Sequence, residues 1–267
     1  MPELPEVETY RRYIEASSLG QTIEQFTCED PRKLLLNDLD EINNRLNGAV
    51  FEATYRVGKH LFVRTNLDDW LYMHFGMSGD LGYFHRDEPP PRHARMIFYF
   101  TNGYRLGFIC PRKFERVGLV ADPVAFLAQK GITPDVLDIT PAVFFEHLRR
   151  KKSAIKTVLL DQSVVAGIGN WLADDVLYRA KIHPETPAAA LEEAEKMRIF
   201  EAMRYIAQTT IDAEANYLLL PDDFVLHARG WGKPHLAGKC PCGKGEILMS
   251  RVGGRATYFC GLCQSKK

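Results

Sequence analysis

The chain has 267 residues, 46% of them hydrophobic, and its 34 Lys plus Arg balance 34 Asp plus Glu. That length supports one large or two medium domains with real cores, and the absence of a run of roughly 18 uncharged apolar residues or of a basic-plus-apolar leader argues against a membrane span and against secretion. Zero net charge excludes a uniformly basic nucleic-acid binder, so a phosphate-rich partner must be met by local clusters; the expectation is a soluble, cytoplasmic protein.

Such clusters exist. From Val225 onward Arg229, Lys233, Lys239, Lys244, Arg251, Arg255, Lys266 and Lys267 stand against the single acid Glu246, and residues 149–156 read Arg-Arg-Lys-Lys-Ser-Ala-Ile-Lys. Basic faces on a balanced chain suit a groove for nucleic-acid phosphates.

In chain order, the first stretch is Met1-Pro2-Glu3-Leu4-Pro5-Glu6-Val7-Glu8. Met before the small Pro2 is a context for Met removal, which would leave a secondary amine at the terminus. An α-amino group titrates near pH ~8, against ~10.4 for Lys, so a useful fraction is unprotonated at neutral pH. Such an amine can attack a sugar C1′ or an aldehyde and form an iminium, as a Schiff-base lysine does. Glu3, one residue away, can move protons on the reacting sugar if burial raises its pKa. Pro5 and the acids Glu6 and Glu8 suit a first helical turn. Val7, Tyr10 and Ile14 give that helix one buried stripe, and it should end near Gly20.

The period then changes to two. Short runs rich in β-branched and aromatic residues cover 22–28, 50–57, 60–65, 70–75, 81–84, 94–100 and 104–109, with Asn102-Gly103 as a hairpin turn between the last two. Many short strands predict a β-sandwich or flattened barrel. After about residue 121 the chain turns helical: Asp122-Pro123, Thr140-Pro141 and Thr186-Pro187 read as caps followed by proline, and 188–215 reads as one long helix. The domain boundary is placed between Gly131 and Thr140, and a Gly- and Lys-rich third unit follows Gly232.

Six cysteines divide into the isolated Cys28 and Cys110, read as small buried hydrophobes, and four in the last 28 residues. Cys240-Pro241-Cys242 and Cys260-Gly261-Leu262-Cys263 flank a hairpin turned at Gly253-Gly254. Four thiolates can bind one structural zinc ion and hold a hairpin too small for its own core, and His235 could replace a misplaced thiolate.

The N-terminal string resembles the amino terminus of the formamidopyrimidine-DNA glycosylase / endonuclease VIII family. Met73-His74-Phe75-Gly76-Met77-Ser78-Gly79 resembles the family's His-Leu-Gly-Met-Ser-Gly, Pro111-Arg112-Lys113-Phe114 its Asp-Pro-Arg-Arg-Phe, and Val164-Val165-Ala166-Gly167-Ile168-Gly169-Asn170 its Val-Gly-Ile/Val-Gly-Asn. Arg255 to Cys260 is similar to the family's finger hairpin. Three departures stand out: Cys110 replaces Asp, Lys113 replaces the second Arg, which removes a bidentate contact there, and Cys-x-Cys replaces the usual Cys-x-x-Cys.

The resemblance implies an α+β protein: an N-terminal β-sandwich with an N-terminal helix (1–131), a helix-two-turn-helix domain (132–232) and a zinc-finger hairpin (233–267), with damaged double-stranded DNA in the cleft. It implies base excision by attack of the Pro2 nitrogen on C1′, with Glu3 as general acid or base, then β- and δ-elimination. Lys59 is the expected contact to the phosphate or sugar beside the lesion, and Glu6 helps order the terminus. Met77 and Phe114 are expected to wedge the base stack and Arg112 to bond the widowed base. Lys156, Asn170 and Arg255 are expected on DNA phosphates, with bare amides at Gly167 and Gly169 meeting an anion at a helix start. No nucleotide or redox cofactor is needed, and a monomer suffices. Residues 216–231 lack the Gly/Thr/Ser-rich loop that caps 8-oxoguanine in the purine-specific members. That points toward endonuclease VIII-like or broad oxidised-base and abasic-site activity. The alternative is a homologue that binds damaged DNA without excision.

Overall fold

The computed structural model describes residues 1–266; Lys267, counted above among the C-terminal basic residues, lies outside the described part. The chain divides into two compact units, one of Met1–Pro2 with Glu6–Lys130 and one of Glu3–Pro5 with Gly131–Lys267. No helix among the described residues is long and apolar enough to cross a membrane.

The first unit opens with helix α1 (Leu4–Ser17), whose first residues are counted in the second unit. Two sheets follow. One has the order β1 (Ile23–Cys28), β7 (Ala94–Phe100), β8 (Tyr104–Ile109), β6 (Asp80–His85); the other runs β2 (Leu34–Leu35), β9 (Arg116–Val120), β5 (Trp70–His74), β4 (His60–Thr65), β3 (Phe51–Val57). Phe26, Met96, Phe98 and Phe108 from the first sheet join Leu61, Val63, Leu71, Met73 and Val117 from the second in one buried core, with Val7 and Ile14 of α1 closing it. Alternate inward residues from facing sheets are what a sandwich requires. Asn102-Gly103 turns β7 into β8 as expected, pairing Tyr99 with Arg105 and Phe98 with Leu106.

Strand β4 departs from alternation, with His60, Leu61, Phe62 and Val63 all buried. Its outer face is covered by α3 (Pro123–Gln129), whose Phe126 ring stands edge-on to Tyr72 at 4.8 Å and to Phe62 at 6.2 Å. The short helix α2 (Leu39–Leu46) is not among the elements expected from the sequence. Its Asp38 side chain caps the Glu41 N–H at 2.8 Å, and it buries Ile42 and Leu46.

The second unit is helical: α4 (Pro141–Arg149), α5 (Ile155–Leu159), α6 (Asn170–Ala180) and α7 (Glu193–Asp212), then the hairpin β10 (Leu248–Val252) and β11 (Arg255–Phe259). Helix α6 is its centre, with eight of its eleven residues buried. Phe144, Leu148, Ile155, Trp171, Leu172, Val176, Ile199, Met203 and Ile206 form the core. Asp122 and Thr140 cap α3 and α4 with their side chains. Thr186-Pro187 does not open a long helix. Ala188 and Ala189 donate their N–H groups to the Ser153 and Lys151 carbonyls, so the chain makes a single 3-10 turn. The helix then starts at Glu193, where the Glu195 carboxylate accepts the Glu192 N–H at 3.0 Å. It stops at Asp212 because Glu214 and Ala215 take left-handed φ values of 51° and 55°.

Candidate catalytic and nucleic-acid-binding residues

Among the expected site residues, Glu3 is buried and held at three points. It is 2% exposed, and its carboxylate accepts the N–H of Gly169 at 2.7 Å, of Trp171 at 3.0 Å and of Leu172 at 3.2 Å. These are orphan donors of the first turn of α6, where the helix dipole also favours negative charge. The anion expected at this helix start is therefore the chain's own third residue. A Cβ at Gly169 would lie 2.2 Å from the Glu3 carboxyl carbon, and one at Gly167, which has φ +100°, 2.6 Å from Leu4 Cδ1. The two glycines thus form the seat of residues 3 and 4, and the Leu4 N–H donates to the Gly167 carbonyl at 3.1 Å. Pro2, half-buried, precedes this anchored carboxylate by one peptide bond.

In the first unit, Glu6 and Lys59 are buried, each 9% exposed. Lys59 follows Gly58 in the turn from β3 to β4. Arg56, itself bound to Glu8 at 2.9 Å, donates to the Gly58 carbonyl at 3.1 Å and so braces that turn. Burial works against the Glu8 carboxylate, yet Arg11 and Arg56 bring its pKa down to about 2. Sequence reasoning misses His74, although it stands inside the His-Phe-Gly-Met motif. Burial and the nearby Lys59 lower its pKa to about 4. It is neutral near pH 7, and its Nδ1 accepts the Gly76 N–H at 3.2 Å.

The loops that carry Met77 and Phe114 touch. A Cβ at Gly76, which has φ +58°, would lie 2.3 Å from the Phe114 carbonyl oxygen, so only glycine lets the backbones approach this closely. Met77 and Phe114 are exposed beside each other's loops, Phe114 by 51% of its surface. The Arg112 guanidinium lies 5.6 Å from the Phe114 ring centre, and Lys113 turns away to Glu29 at 3.4 Å. Cys110 is buried, as expected, with its thiol pushed up by burial and by Glu115.

In the second unit, Arg255 is exposed at the start of β11, opposite Val252. Asn170 is half-buried and donates to the Ala256 carbonyl at 2.9 Å. Lys156 differs from expectation. Its side chain has no exposed surface, pairs with Asp174 at 2.6 Å, and donates to the Ala256 carbonyl and the Thr257 hydroxyl, each at 2.9 Å. A phosphate has no path to an ammonium so enclosed. Asp174 also escapes the sequence reading; besides Lys156 it binds the Arg229 guanidinium and accepts the Tyr258 N–H at 3.0 Å.

The Sγ atoms of Cys240, Cys242, Cys260 and Cys263 lie within 4.8 Å of one another, with 3.0 Å between Cys240 and Cys242 and 3.8 Å between Cys240 and Cys263. Bonds of about 2.3 Å in a tetrahedron put thiolates roughly 3.7 Å apart, so the four fit one metal ion despite the shortened Cys-x-Cys half. The Lys244 N–H points at Cys242 Sγ at 3.5 Å, and Gln264, bonded to the Cys260 N–H and the Ile182 carbonyl, fastens the second half. His235 is not part of this group.

A two-sheet unit, a helical unit centred on α6 and a four-cysteine hairpin together define the class of helix-two-turn-helix DNA-repair proteins. Residues 1–117 match the formamidopyrimidine-DNA glycosylase N-terminal domain, and residues 131–219 the formamidopyrimidine-DNA glycosylase H2TH domain. Formamidopyrimidine-DNA glycosylases of Geotalea uraniireducens and Bacillus subtilis are 35% and 33% identical over 99% and 100% of this chain and all of theirs. The Lactococcus lactis glycosylase in a complex with Fapy-dG-containing DNA superposes with a TM-score of 0.89 at 31% identity, covering 99% of this chain and 100% of that one. The same enzyme non-covalently bound to DNA containing an AP site gives 0.87 at 30%, with the same coverage. The chain belongs to the formamidopyrimidine-DNA glycosylase family.

Proposed function

We propose that this chain is a base-excision-repair DNA glycosylase that also cleaves the resulting abasic strand, acting on oxidised bases and abasic sites in duplex DNA. With Met1 removed, the Pro2 nitrogen attacks C1′, losing its proton, and the damaged base leaves with its electron pair and a proton; the C1′–O4′ bond then breaks, O4′ taking a proton, and the opened sugar is held on the proline nitrogen as an iminium. Loss of a C2′ proton expels the 3′ phosphate by β-elimination, a second elimination expels the 5′ phosphate, and water then releases the sugar fragment from the proline nitrogen. Glu3 carries protons as general acid or base. Lys59 and Arg255 bind phosphate oxygens beside the lesion, Glu6 orders the terminus, and Asn170 meets the backbone at the helix start. Met77 and Phe114 fill the space left by the extruded nucleotide, and Arg112 bonds the opposite base. Cys240, Cys242, Cys260 and Cys263 hold one structural zinc ion that keeps the hairpin folded.

The observation that carries this reading is the anchoring of Glu3 at the first turn of α6. It holds a carboxylate one residue from the amine, as proton transfer at a sugar needs. The segment after α7 supports a broad rather than a purine-capping specificity. It is tied in place by His227, which bonds the Trp231 and Pro221 carbonyls at 3.0 and 3.1 Å, and it presents Leu218 and Leu219 to solvent. Single-turnover excision on duplexes carrying formamidopyrimidine, thymine glycol, dihydrouracil, 8-oxoguanine or an abasic site tests the proposal. Cleavage of the abasic and ring-damaged substrates ahead of 8-oxoguanine is expected. Binding without cleavage of any of them would leave a damage-binding homologue.

A further inference from the structure

Lys156 and Asp174 lie at the centre of a buried cluster, and neither is used in any step above. Lys156 reaches from α5 to the Ala256 carbonyl and Thr257 hydroxyl on β11, and Asp174 reaches from α6 to the Tyr258 N–H on the same strand. Three successive residues of one strand are therefore gripped from two helices. Asn170, at the first position of α6, adds a second bond to the Ala256 carbonyl, at 2.9 Å. Arg229 pairs with Asp174, donates to the Asn170 carbonyl at 3.3 Å, and lies 4.5 Å from the Tyr258 ring centre. The hairpin turn is seated as well, since a Cβ at Gly253 would meet Thr157 Oγ1 of α5 at 2.5 Å.

The strand so gripped begins with Arg255, the residue directly before Ala256. The helix that grips it is the one whose first turn holds Glu3. A two-stranded hairpin with few buried apolar groups has little packing of its own to fix its register. These polar bonds, out of water and pointed at backbone groups, supply that register.

We propose that Lys156 is a positioning residue, acting with Asp174 to hold the finger hairpin so that the Arg255 guanidinium is presented at a fixed distance from the helix turn that carries Glu3. This rests on the reading of Arg255 as a phosphate contact, and it replaces the expectation that Lys156 itself binds phosphate. Its chemical consequence is cooperative: Lys156 matters for DNA only through Arg255.

The test uses the full-length, metal-loaded protein and an uncleavable abasic-analogue duplex. K156M removes the two strand bonds while leaving Asp174 paired with Arg229; T257V removes one acceptor with little change of shape. Each is made alone and together with R255A, and duplex affinity is measured across a salt series. K156M alone should weaken binding about tenfold and T257V a few-fold, with metal content and melting temperature showing that the fold persists. In the R255A background K156M should weaken binding by less than twofold and leave the salt dependence unchanged. If instead K156M keeps its full effect there and lowers the salt slope by about one, Lys156 is a phosphate ligand and the proposal fails. No effect of K156M alone also overturns it. If R255A itself changes neither affinity nor slope, the clamp reading of Arg255 is what fails. The positioning claim is then decided by amide exchange at Ala256–Tyr258, which K156M must accelerate and which an unaltered rate would refute.

Discussion

Gly169 owes its place to the carboxylate of Glu3. Because a Cβ at this position would fall 2.2 Å from the Glu3 carboxyl carbon, any side chain there must expel the acid from its three N–H donors. G169A should therefore behave like a loss of Glu3: single-turnover excision falls by at least about 100-fold, the scale of a lost general acid or base, while circular dichroism and metal content stay as in the parent. Near-normal excision by G169A would show that the seat is dispensable. Glu8 makes a different prediction, of stability. Its carboxyl has a pKa of about 2 in the folded chain against an ordinary 4.5, because Arg11 and Arg56 outweigh its burial. A depressed carboxyl contributes stability in full above about pH 5, and that contribution is lost as pH falls toward 2. In denaturant titrations E8Q should be less stable than the parent at pH 7 by on the order of 2–3 kcal/mol, and the gap should close between pH 5 and pH 2. A gap that is constant with pH would mean that the charge of Glu8 plays no part.

Among the elements, the finger hairpin depends most on something other than packing. Its strands leave Leu248 and Met249 exposed, and Val252 and Thr257 are their only buried residues. Chelation should therefore strip duplex binding and lower the first thermal transition, with zinc restoring both, because binding free energy of the metal is folding free energy for so small a unit. Unchanged duplex affinity after verified metal loss would contradict this. Helix α6 teaches the complementary lesson. A helix buried on eight of eleven positions has no polar face to read as a periodic stripe. Its start is legible only through Gly167, Gly169 and Asn170. The caps of α3 and α4 are legible because capping is local, within three residues of Asp122 and Thr140. Thr186-Pro187 has the same local signature, but tertiary bonds from Ala188 and Ala189 to Ser153 and Lys151 override it. Helix α2 carries a readable Asp38 cap, yet at eight residues it is too short to display a period.

At the scale of the whole molecule, the two-sheet and helical halves and the cysteine hairpin can be read from periodicity, turn residues and Cys spacing, since each is a short-range pattern. The partners of charged residues cannot. Glu3 and Gly169 are 166 positions apart, and Lys156 and Thr257 are 101 apart, so the sequence announces an anion at a helix start and a lysine near a helix start without saying what each will meet. Both sites look like DNA contacts in the sequence, and both turn inward in the structure. His74 and Asp174 are unreadable for the same reason: their meaning lies in the carbonyls, amides and cations that the fold brings to them. Borohydride reduction of the protein on an abasic-site duplex, followed by peptide mass mapping, tests the central claim most directly. The mature chain should trap as a covalent adduct with the sugar mass on the peptide beginning at Pro2, and protein kept in its Met1 form should neither trap nor cut. An adduct mapped to a lysine, or undiminished strand cutting with Met1 in place, would contradict it.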